Sequence, residues 1–138
     1  MFGSLDISGS ALVAQRTVLD TIAGNIANAH ATRQADGRPI PYRRRVALLA
    51  SGDPRHGTPG GVHVAKVVED PSPFRLEHDP SHPDALRDGP HQGYVRMPNV
   101  DFSTEMVNAM FASRIYEANV TVMEVTKTMA AATLRLLA

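Results

Sequence analysis

The sequence has no cysteine, and its two ends have no proline. The absence of cysteine excludes disulfide bonds and zinc sites built on thiolates. All ten prolines lie between Pro39 and Pro98, so residues 1–32 and 101–138 lack the residue that most often breaks a helix. We therefore predict a long helix at each end of the chain, with turns, loops and short strands between them.

The sequence also lacks net charge and long apolar runs. Its 14 acidic residues balance its 14 basic ones, so no overall field steers the chain to nucleic acid, and no such partner is expected. No run approaches the roughly 20 apolar residues that span a bilayer, so the protein is not expected to be membrane-embedded. A cleaved secretory signal is not expected either, because serines and Asp6 interrupt the first apolar stretch and the first basic residue is Arg16.

No motif of an enzyme class is present. The sequence has no nucleophile elbow, no P-loop and no dinucleotide-binding glycine motif. The tightest candidate metal site is His78, Asp79 and His82, which lie in a proline-rich loop without the rigid support that zinc needs. We favour the interpretation that these histidines are solvated loop residues, so we expect no metal and no cofactor. The basic run Arg43–Arg45 after Tyr42 is interpreted as a solvated strand face.

Apolar residues recur along the N-terminal segment with helical spacing. Two neighbouring rows result: Leu5, Leu12, Leu19, Ile22, Ile26 and Ala29 in one, and Ile7, Ala11, Ala14 and Val18 in the other. Together they form a surface wider than one two-stranded seam needs. We therefore expect this helix to pack against more than one neighbour.

The C-terminal segment has the same excess of apolar surface. Asp101 or Ser103 is the expected N-cap, and Glu105 suits the positive first turn. Two rows follow: Met106, Met110, Ser113, Val120, Met123, Lys127, Ala130, Leu134 and Leu137 in one, and Phe111, Ile115, Ala118, Val122, Val125, Met129 and Leu136 in the other. Since a chain this small has no other helices to cover both rows, we predict that other subunits do so.

These patterns predict an α+β fold with a coiled-coil-like pair of terminal helices. Residues 1–32 and 101–138 form the helical part, and residues 33–100 form a small β-rich insertion. Its four predicted strands are Tyr42–Ala50, Gly61–Val68, Phe74–Glu77 and Gly93–Arg96. The stretch from Ser51 to Gly61 is predicted to be a loop, and so are residues 78–92.

Three asparagines stand out because they lie within apolar helical segments. They are Asn25, Asn28 and Asn119. One interpretation is that they face solvent or cap a helix end. The other is that their amides bridge to neighbouring chains and fix register, as a buried Asn does in coiled coils. We favour the second interpretation.

Five stretches in order resemble the flagellar axial proteins of the rod and hook group. The terminal stretches are LDTIAGNIANA from Leu19 to Ala29 and SRIYEANVTVMEVTKTM from Ser113 to Met129. The central ones are DPSPF from Asp70, DPSHPDA from Asp79 and GYVRMPNV from Gly93. With the short length, these stretches resemble the proximal-rod branch of that group more than its longer distal-rod or hook members.

The resemblance implies a non-enzymatic subunit of the proximal rod in the periplasm. It implies export by the flagellar type III apparatus, and contacts with other copies, with other rod proteins and with the surrounding basal-body rings. The expected helix-packing interface comprises Leu12, Leu19, Ile22, Asn25, Ile26, Asn28, Met106, Met110, Tyr116, Asn119, Val120 and Met123. The expected loop contacts are Pro73, Phe74, Asp79, Pro80, His82, Pro83, Tyr94, Pro98 and Asn99.

Two alternatives stay open at this point. One is a small metal-dependent enzyme that uses the loop of His78 and His82. The other is a monomeric helical adaptor with a single partner. Metal analysis would distinguish the enzyme from a rod subunit. An adaptor would be fully folded alone, whereas the ends of a rod subunit should be loose before assembly.

Overall fold

The computed structural model describes residues 2–53 and 58–137. In chain order the elements are α1 (Phe2–Ala27), β1 (Arg45–Asp53), β2 (Thr58–Glu69), β3 (Arg75–His78), β4 (Tyr94–Met97) and α2 (Phe102–Leu137). Among the described residues, the strands form two antiparallel two-stranded sheets, β1–β2 and β3–β4. The predicted α+β class, with two long terminal helices around a small β region, is confirmed.

The two helices pack against each other and run antiparallel. Asn25, near the end of α1, donates to Glu105 in the first turn of α2 at 2.9 Å. From that contact, α1 extends back to Phe2 and α2 extends forward to Leu137. At about 1.5 Å per residue, the last turns of α2 therefore project roughly 13 Å past the start of α1.

Small and polar residues line the contact between the helices. Ser8, Ala14, Gln15, Ile22 and Asn25 are buried on α1. On α2 one strip is buried or half-buried, with spacings of three and four and one of seven. We call it the inner seam: Glu105, Ala109, Ala112, Asn119, Met123, Thr126 and Ala130. Small side chains let the two helix axes approach closely.

The ends of both helices differ slightly from the sequence prediction. The first helix ends at Ala27 rather than near Thr32, because the chain turns through i→i+3 bonds such as Ala31 N–H to the carbonyl of Asn28, at 3.1 Å. The second begins at Phe102, and the carboxylate of Asp101 accepts a 2.7 Å bond from the N–H of Thr104. Asp101, not Ser103, is therefore the N-cap.

The β1–β2 hairpin lies against α1. Its register runs from Arg45 opposite Glu69 to Asp53 opposite Thr58, with irregularities after Leu48 and near the tip. The hydroxyl of Ser10 accepts a 3.0 Å hydrogen bond from the N–H of Val62 and ties the strand to the helix.

β1 begins and ends three residues later than predicted and β2 is longer than predicted, so the predicted loop from Ser51 to Gly61 is wrong at its ends. Pairing continues to Asp53 on one side and begins at Thr58 on the other. Gly61 allows this pairing. Its φ of +98° is a conformation that glycine adopts without strain, and a Cβ at this position would lie 2.7 Å from Ser10 Oγ. Residues 54–57 of the predicted loop lie outside the described residues.

The β3–β4 sheet closes the small core beside the start of α2. Arg75 pairs with Met97 and His78 pairs with Tyr94. Val95, Pro98 and Val100 are buried just before α2 begins. All four predicted strands are present, with boundaries that differ from the prediction by at most three residues.

Candidate assembly surface

A polar cluster joins the two helices to the β region. We call Asn25, Arg44, Asp70, Asn99 and Glu105 the joint. Glu105 lies at its centre and its side chain is inaccessible to solvent. One carboxylate oxygen accepts bonds from Nε and Nη2 of Arg44 at 2.9 and 2.7 Å, and the other accepts from Asn25 Nδ2. The start of a helix also favours a negative charge.

Arg44 links this carboxylate to a second one. Its Nη1 lies 3.2 Å from the carboxylate of Asp70, which follows β2. Burial opposes the charged guanidinium, but the bonds to Glu105 and Asp70 outweigh it and raise the pKa of Arg44. The pKa of Asp70 is lowered, chiefly by the N–H of Ser72 and then by Arg44.

Asn25 uses its whole amide inside the chain. Its Nδ2 donates to the carbonyl of Arg45 at 2.8 Å and to Glu105, and its Oδ1 accepts from the N–H of Arg45 and the hydroxyl of Tyr42. Burial raises the pKa of Tyr42, so its phenol remains a donor. The expectation that Asn25 bridges to a neighbouring chain is therefore wrong, since these partners satisfy the amide.

The prediction of a solvated basic run is also wrong for two of its three arginines. Arg43 is half-buried, donates to the carbonyls of Asp70 and Ser72, and lies over the ring of Phe74 at 4.4 Å. Arg44 is half-buried in the joint. Of the three, Arg45 has an exposed side chain. The spacing of the three arginines does not predict which of them are half-buried, because their partners lie far away in the sequence.

Asn99 belongs to the same joint and was expected only as a loop contact. Its Oδ1 accepts from the N–H of Arg44 at 2.8 Å, and its Nδ2 donates to the carbonyls of Asp70 and Ser72. Pro98 beside it is buried. Sequence reasoning missed Arg44, Asp70 and Glu105 as members of this cluster. The available signal was a charged residue, Glu105, in the first turn of an apolar helix.

The loop between β3 and β4 is tied to the connector after α1. The carboxylate of Asp84 accepts from Thr32 Oγ1 at 2.9 Å and from Arg33 Nε at 3.0 Å. Arg33 chiefly, and then Thr32, lower the pKa of Asp84. His82 Nδ1 accepts from the N–H of Asp84 at 3.0 Å. This loop is therefore held by hydrogen bonds within the chain.

The histidines do not converge on a metal site in the part of the chain that the structure describes. No group of three or more His, Asp or Glu side chains there is placed to hold an ion. His78 and His91 instead lie edge-on to Tyr94, at 4.9 and 6.2 Å between ring centroids. Of the other expected loop contacts, Phe74, Asp79, His82 and Tyr94 are half-buried, and Pro73, Pro80 and Pro83 are exposed.

The expected helix-packing residues fall into three groups. Ile22 and Asn25 are buried by their own chain. Half-buried residues are Leu12, Leu19, Ile26, Asn28, Asn119, Val120 and Met123. Exposed ones are Met106, Met110 and Tyr116. The amides of Asn28 and Asn119 each donate to the carbonyl four residues earlier, so a role for them between chains stays a prediction.

A long apolar strip on α2 remains uncovered, and we call it the outer seam. Its side chains are between 45% and 88% exposed: Val107, Phe111, Ile115, Val122, Val125, Met129 and Leu136. The strip spans 30 residues, about 44 Å of helix. All of its residues except Val107 belong to the second apolar row of the sequence, whereas the expected interface residues Met106, Met110, Val120 and Met123 belong to the first. An exposed apolar surface of this length is typical of an interaction site.

Neither α1 nor α2 combines the length and apolarity that a membrane crossing requires, and no other helix of that length occurs in residues 2–53 and 58–137.

Comparisons with known proteins match both ends of the chain to family models. Residues 5–33 match the family model described as Flagella basal body rod protein, and residues 91–136 match Flagellar basal body rod FlgEFG protein C-terminal. Three relatives are each named flagellar basal-body rod protein FlgC. The chain is 47% identical over 132 residues to the protein from Yersinia enterocolitica, with 95% of this chain and 93% of that one covered.

The two other relatives come from Bacillus subtilis and Borreliella burgdorferi. The Bacillus subtilis protein is 44% identical over 142 residues, covering 93% of this chain and 92% of its own. The Borreliella burgdorferi protein is 39% identical over 145 residues, covering 94% and 92%. Because these matches extend over nearly the whole of each protein, the chain belongs to the family of flagellar basal-body rod proteins FlgC.

Proposed function

We propose that this chain is a structural, non-enzymatic subunit of the proximal rod of the flagellar basal body. It assembles with other copies of itself and with other rod proteins into the hollow shaft that transmits torque. The outer seam carries the proposal, because a helix of this kind needs a partner that the chain itself does not supply. The family membership supports the rod as the place where that partner is found.

The energetics favour assembly through this seam. Full burial of one large apolar side chain stabilises by about 1.5–3 kcal/mol. The seven outer-seam side chains are roughly half exposed or more, so covering them would contribute on the order of 5–10 kcal/mol per subunit. That is enough to offset much of the cost of association, which is about 4–15 kcal/mol.

The remaining parts of the proposal follow from the division of the chain. Residues 1–32 and 101–138 form the rod core, and residues 33–100 lie outside it and contact further rod subunits or the surrounding rings. The subunit reaches the periplasm through the flagellar type III export apparatus without a cleaved signal. The resemblance of the terminal and central motifs to rod proteins supports both statements.

Substitutions on the two sides of α2 test the proposal. Val122→Asp and Val125→Asp each place a carboxylate on the outer seam. Thr121→Asp is the matched control, because Thr121 is exposed on the same helix but outside the seam. Each variant is expressed in a strain that lacks the native protein. The measurements are swimming and the amount of this subunit in purified basal bodies.

We expect both seam variants to be produced and folded but absent from basal bodies, with swimming lost. The control should assemble and swim normally. Normal assembly of both seam variants would show that the outer seam is not a rod contact. Circular dichroism of each purified variant separates failed assembly from failed folding.

A further inference from the structure

The loop between β3 and β4 forms a pocket of about 470 Å³. This volume falls within the roughly 300–1,000 Å³ of pockets in which proteins bind ligands. Pro80, His82, Arg87 and Gly93 are among the residues that line it. None of the described lining residues belongs to α1, to α2 or to the outer seam. The pocket is therefore separate from the helix surface that carries the proposed function.

Hydrogen bonds hold the pocket in shape. The N–H of Leu86 donates to the carbonyl of Tyr94, and the N–H of Gly93 donates to the carbonyl of Leu86, both at 2.9 Å. Gly93 has a φ of +80°, and a Cβ there would lie 3.4 Å from Cγ of Pro80. Asp84 ties the same loop to the connector after α1. A preformed pocket of this kind avoids much of the cost of ordering a loop on binding.

His82 contributes a hydrogen-bond donor of fixed identity. Its Nδ1 accepts a 3.0 Å hydrogen bond from the N–H of Asp84. Because a backbone N–H can only donate, a neutral ring must carry its proton on Nε2. This nitrogen has no hydrogen-bond partner in residues 2–53 and 58–137. The ring therefore has an N–H available for a group that enters the pocket.

Arg87 contributes an unpaired cation. Its side chain is exposed and forms no hydrogen bond or ion pair with the part of the chain that the structure describes. The carboxylates nearby are held by other groups: Asp79 accepts from the N–H and the hydroxyl of Ser81, and Asp84 accepts from the connector after α1. Asp88 is exposed next to Arg87 in sequence and does not pair with it either. The guanidinium is thus left for an anion from outside the chain.

We propose that this pocket receives the carboxylate of an Asp or Glu side chain from a neighbouring rod subunit. Arg87 pairs with the negative charge, and Nε2 of His82 donates a hydrogen bond to it. A guanidinium suits this partner, because it can bind a carboxylate through two parallel N–H groups. Pro80 and Pro83 are exposed on the wall of the pocket, and they present a rigid apolar surface for the partner chain. The inference rests on the proposed function, since the neighbour is a rod subunit.

Charge variants at Arg87 test the nature of the partner group. Arg87→Glu reverses the charge, and Arg87→Lys keeps it. Arg96→Glu is the matched control, because Arg96 is an exposed arginine on β4 that does not line the pocket. Each variant is produced in a strain that lacks the native protein, and the subunit is quantified in purified basal bodies. We expect Arg87→Glu to lower this amount on the order of tenfold or more, whereas Arg87→Lys retains most of it and the control assembles normally.

Cysteine labelling tests whether the pocket is occupied in the rod. The sequence has no cysteine, so a single introduced thiol reacts alone. Ala85→Cys places the thiol in the wall of the pocket, and Ala35→Cys is the same substitution at an exposed position of the connector after α1. The rate of reaction with a maleimide is compared between purified subunit and purified basal bodies. Assembly should slow the reaction at position 85 far more than at position 35, because an occupied pocket excludes the reagent.

Two results would overturn the inference. One is Arg87→Glu in basal bodies at the native amount, and the other is assembly that slows labelling equally at both positions. The same preparations keep this test apart from that of the proposed function. A native subunit that is present in basal bodies with an open pocket refutes the carboxylate site alone. A native subunit that is absent from basal bodies refutes the proposed function.

Discussion

Replacing Asn25 with alanine should destabilise the isolated subunit severely. The side chain is 1% exposed, and its amide forms four hydrogen bonds at 2.8–3.1 Å. Truncation to alanine removes all four hydrogen bonds and leaves a cavity at a buried site. The residue lies in the joint, so its loss affects α1, β1 and α2 together.

The size of the effect follows from the partners that are left behind. The N–H and the carbonyl of Arg45 and one oxygen of Glu105 lose a partner at once, whereas the half-buried Tyr42 hydroxyl can bind water. A buried polar group without a partner costs about 1–3 kcal/mol. With three such groups and partial relaxation, we expect Asn25→Ala to cost about 3–5 kcal/mol, a large part of the 5–15 kcal/mol of a typical domain.

The assay is urea unfolding of the purified chain, followed by far-ultraviolet circular dichroism. Asn28→Ala is the matched control: the same substitution three residues later, where the amide donates to the carbonyl of Gly24. This control should cost no more than about 1 kcal/mol. If Asn25→Ala unfolds within about 1 kcal/mol of the native chain, the joint does not hold the subunit together as the hydrogen bonds indicate.

Two further predictions concern the β region. Gly61→Ala should destabilise more than Gly89→Ala, by about 1 kcal/mol; both glycines have a positive φ, but only at Gly61 would the new Cβ meet a neighbouring atom, Ser10 Oγ, within 3 Å. Equal urea midpoints for the two variants would contradict this. For Asp84, whose pKa is lowered chiefly by Arg33, the stabilisation is present above the unfolded pKa of about 3.9 and is lost as pH falls through the lower folded value. The difference in urea midpoint between the native chain and Asp84→Asn should thus be largest near neutral pH and shrink in acid, and a pH-independent difference would refute the role of this carboxylate.

The sequence predicts the elements of this fold well and its joint poorly. The placement of proline and the 3–4 spacing of apolar residues identify both helices, and β-branched residues identify the strands. Both hairpin strands extend further towards the tip than predicted, because Gly61 allows β2 to approach α1 closely. This close approach is a tertiary contact. The burial of Arg44 depends on a carboxylate 61 residues away, and no local pattern separates Arg44 from the arginines on either side.

The candidate assembly surface shows a related limit. Periodicity reveals two apolar rows on the C-terminal helix, but it does not say which row the chain covers itself. Of the expected interface residues on this helix, Asn119, Val120 and Met123 are half-buried, whereas Met106, Met110 and Tyr116 are exposed. The choice between the rows depends on which neighbour packs more closely, and that is a property of the folded pair.

The composition of the two seams explains that choice. The inner seam is rich in small side chains such as Ala109, Ala112 and Ala130, whereas the outer seam carries Phe111, Met129 and other large ones. At about 100° per residue the two seams lie roughly 120° apart on the helix. A single partner helix contacts one such strip at close range and cannot reach the other. Packing α1 against the small side chains brings the two axes close and leaves the larger apolar surface, with its greater transfer free energy, for a neighbour outside the chain.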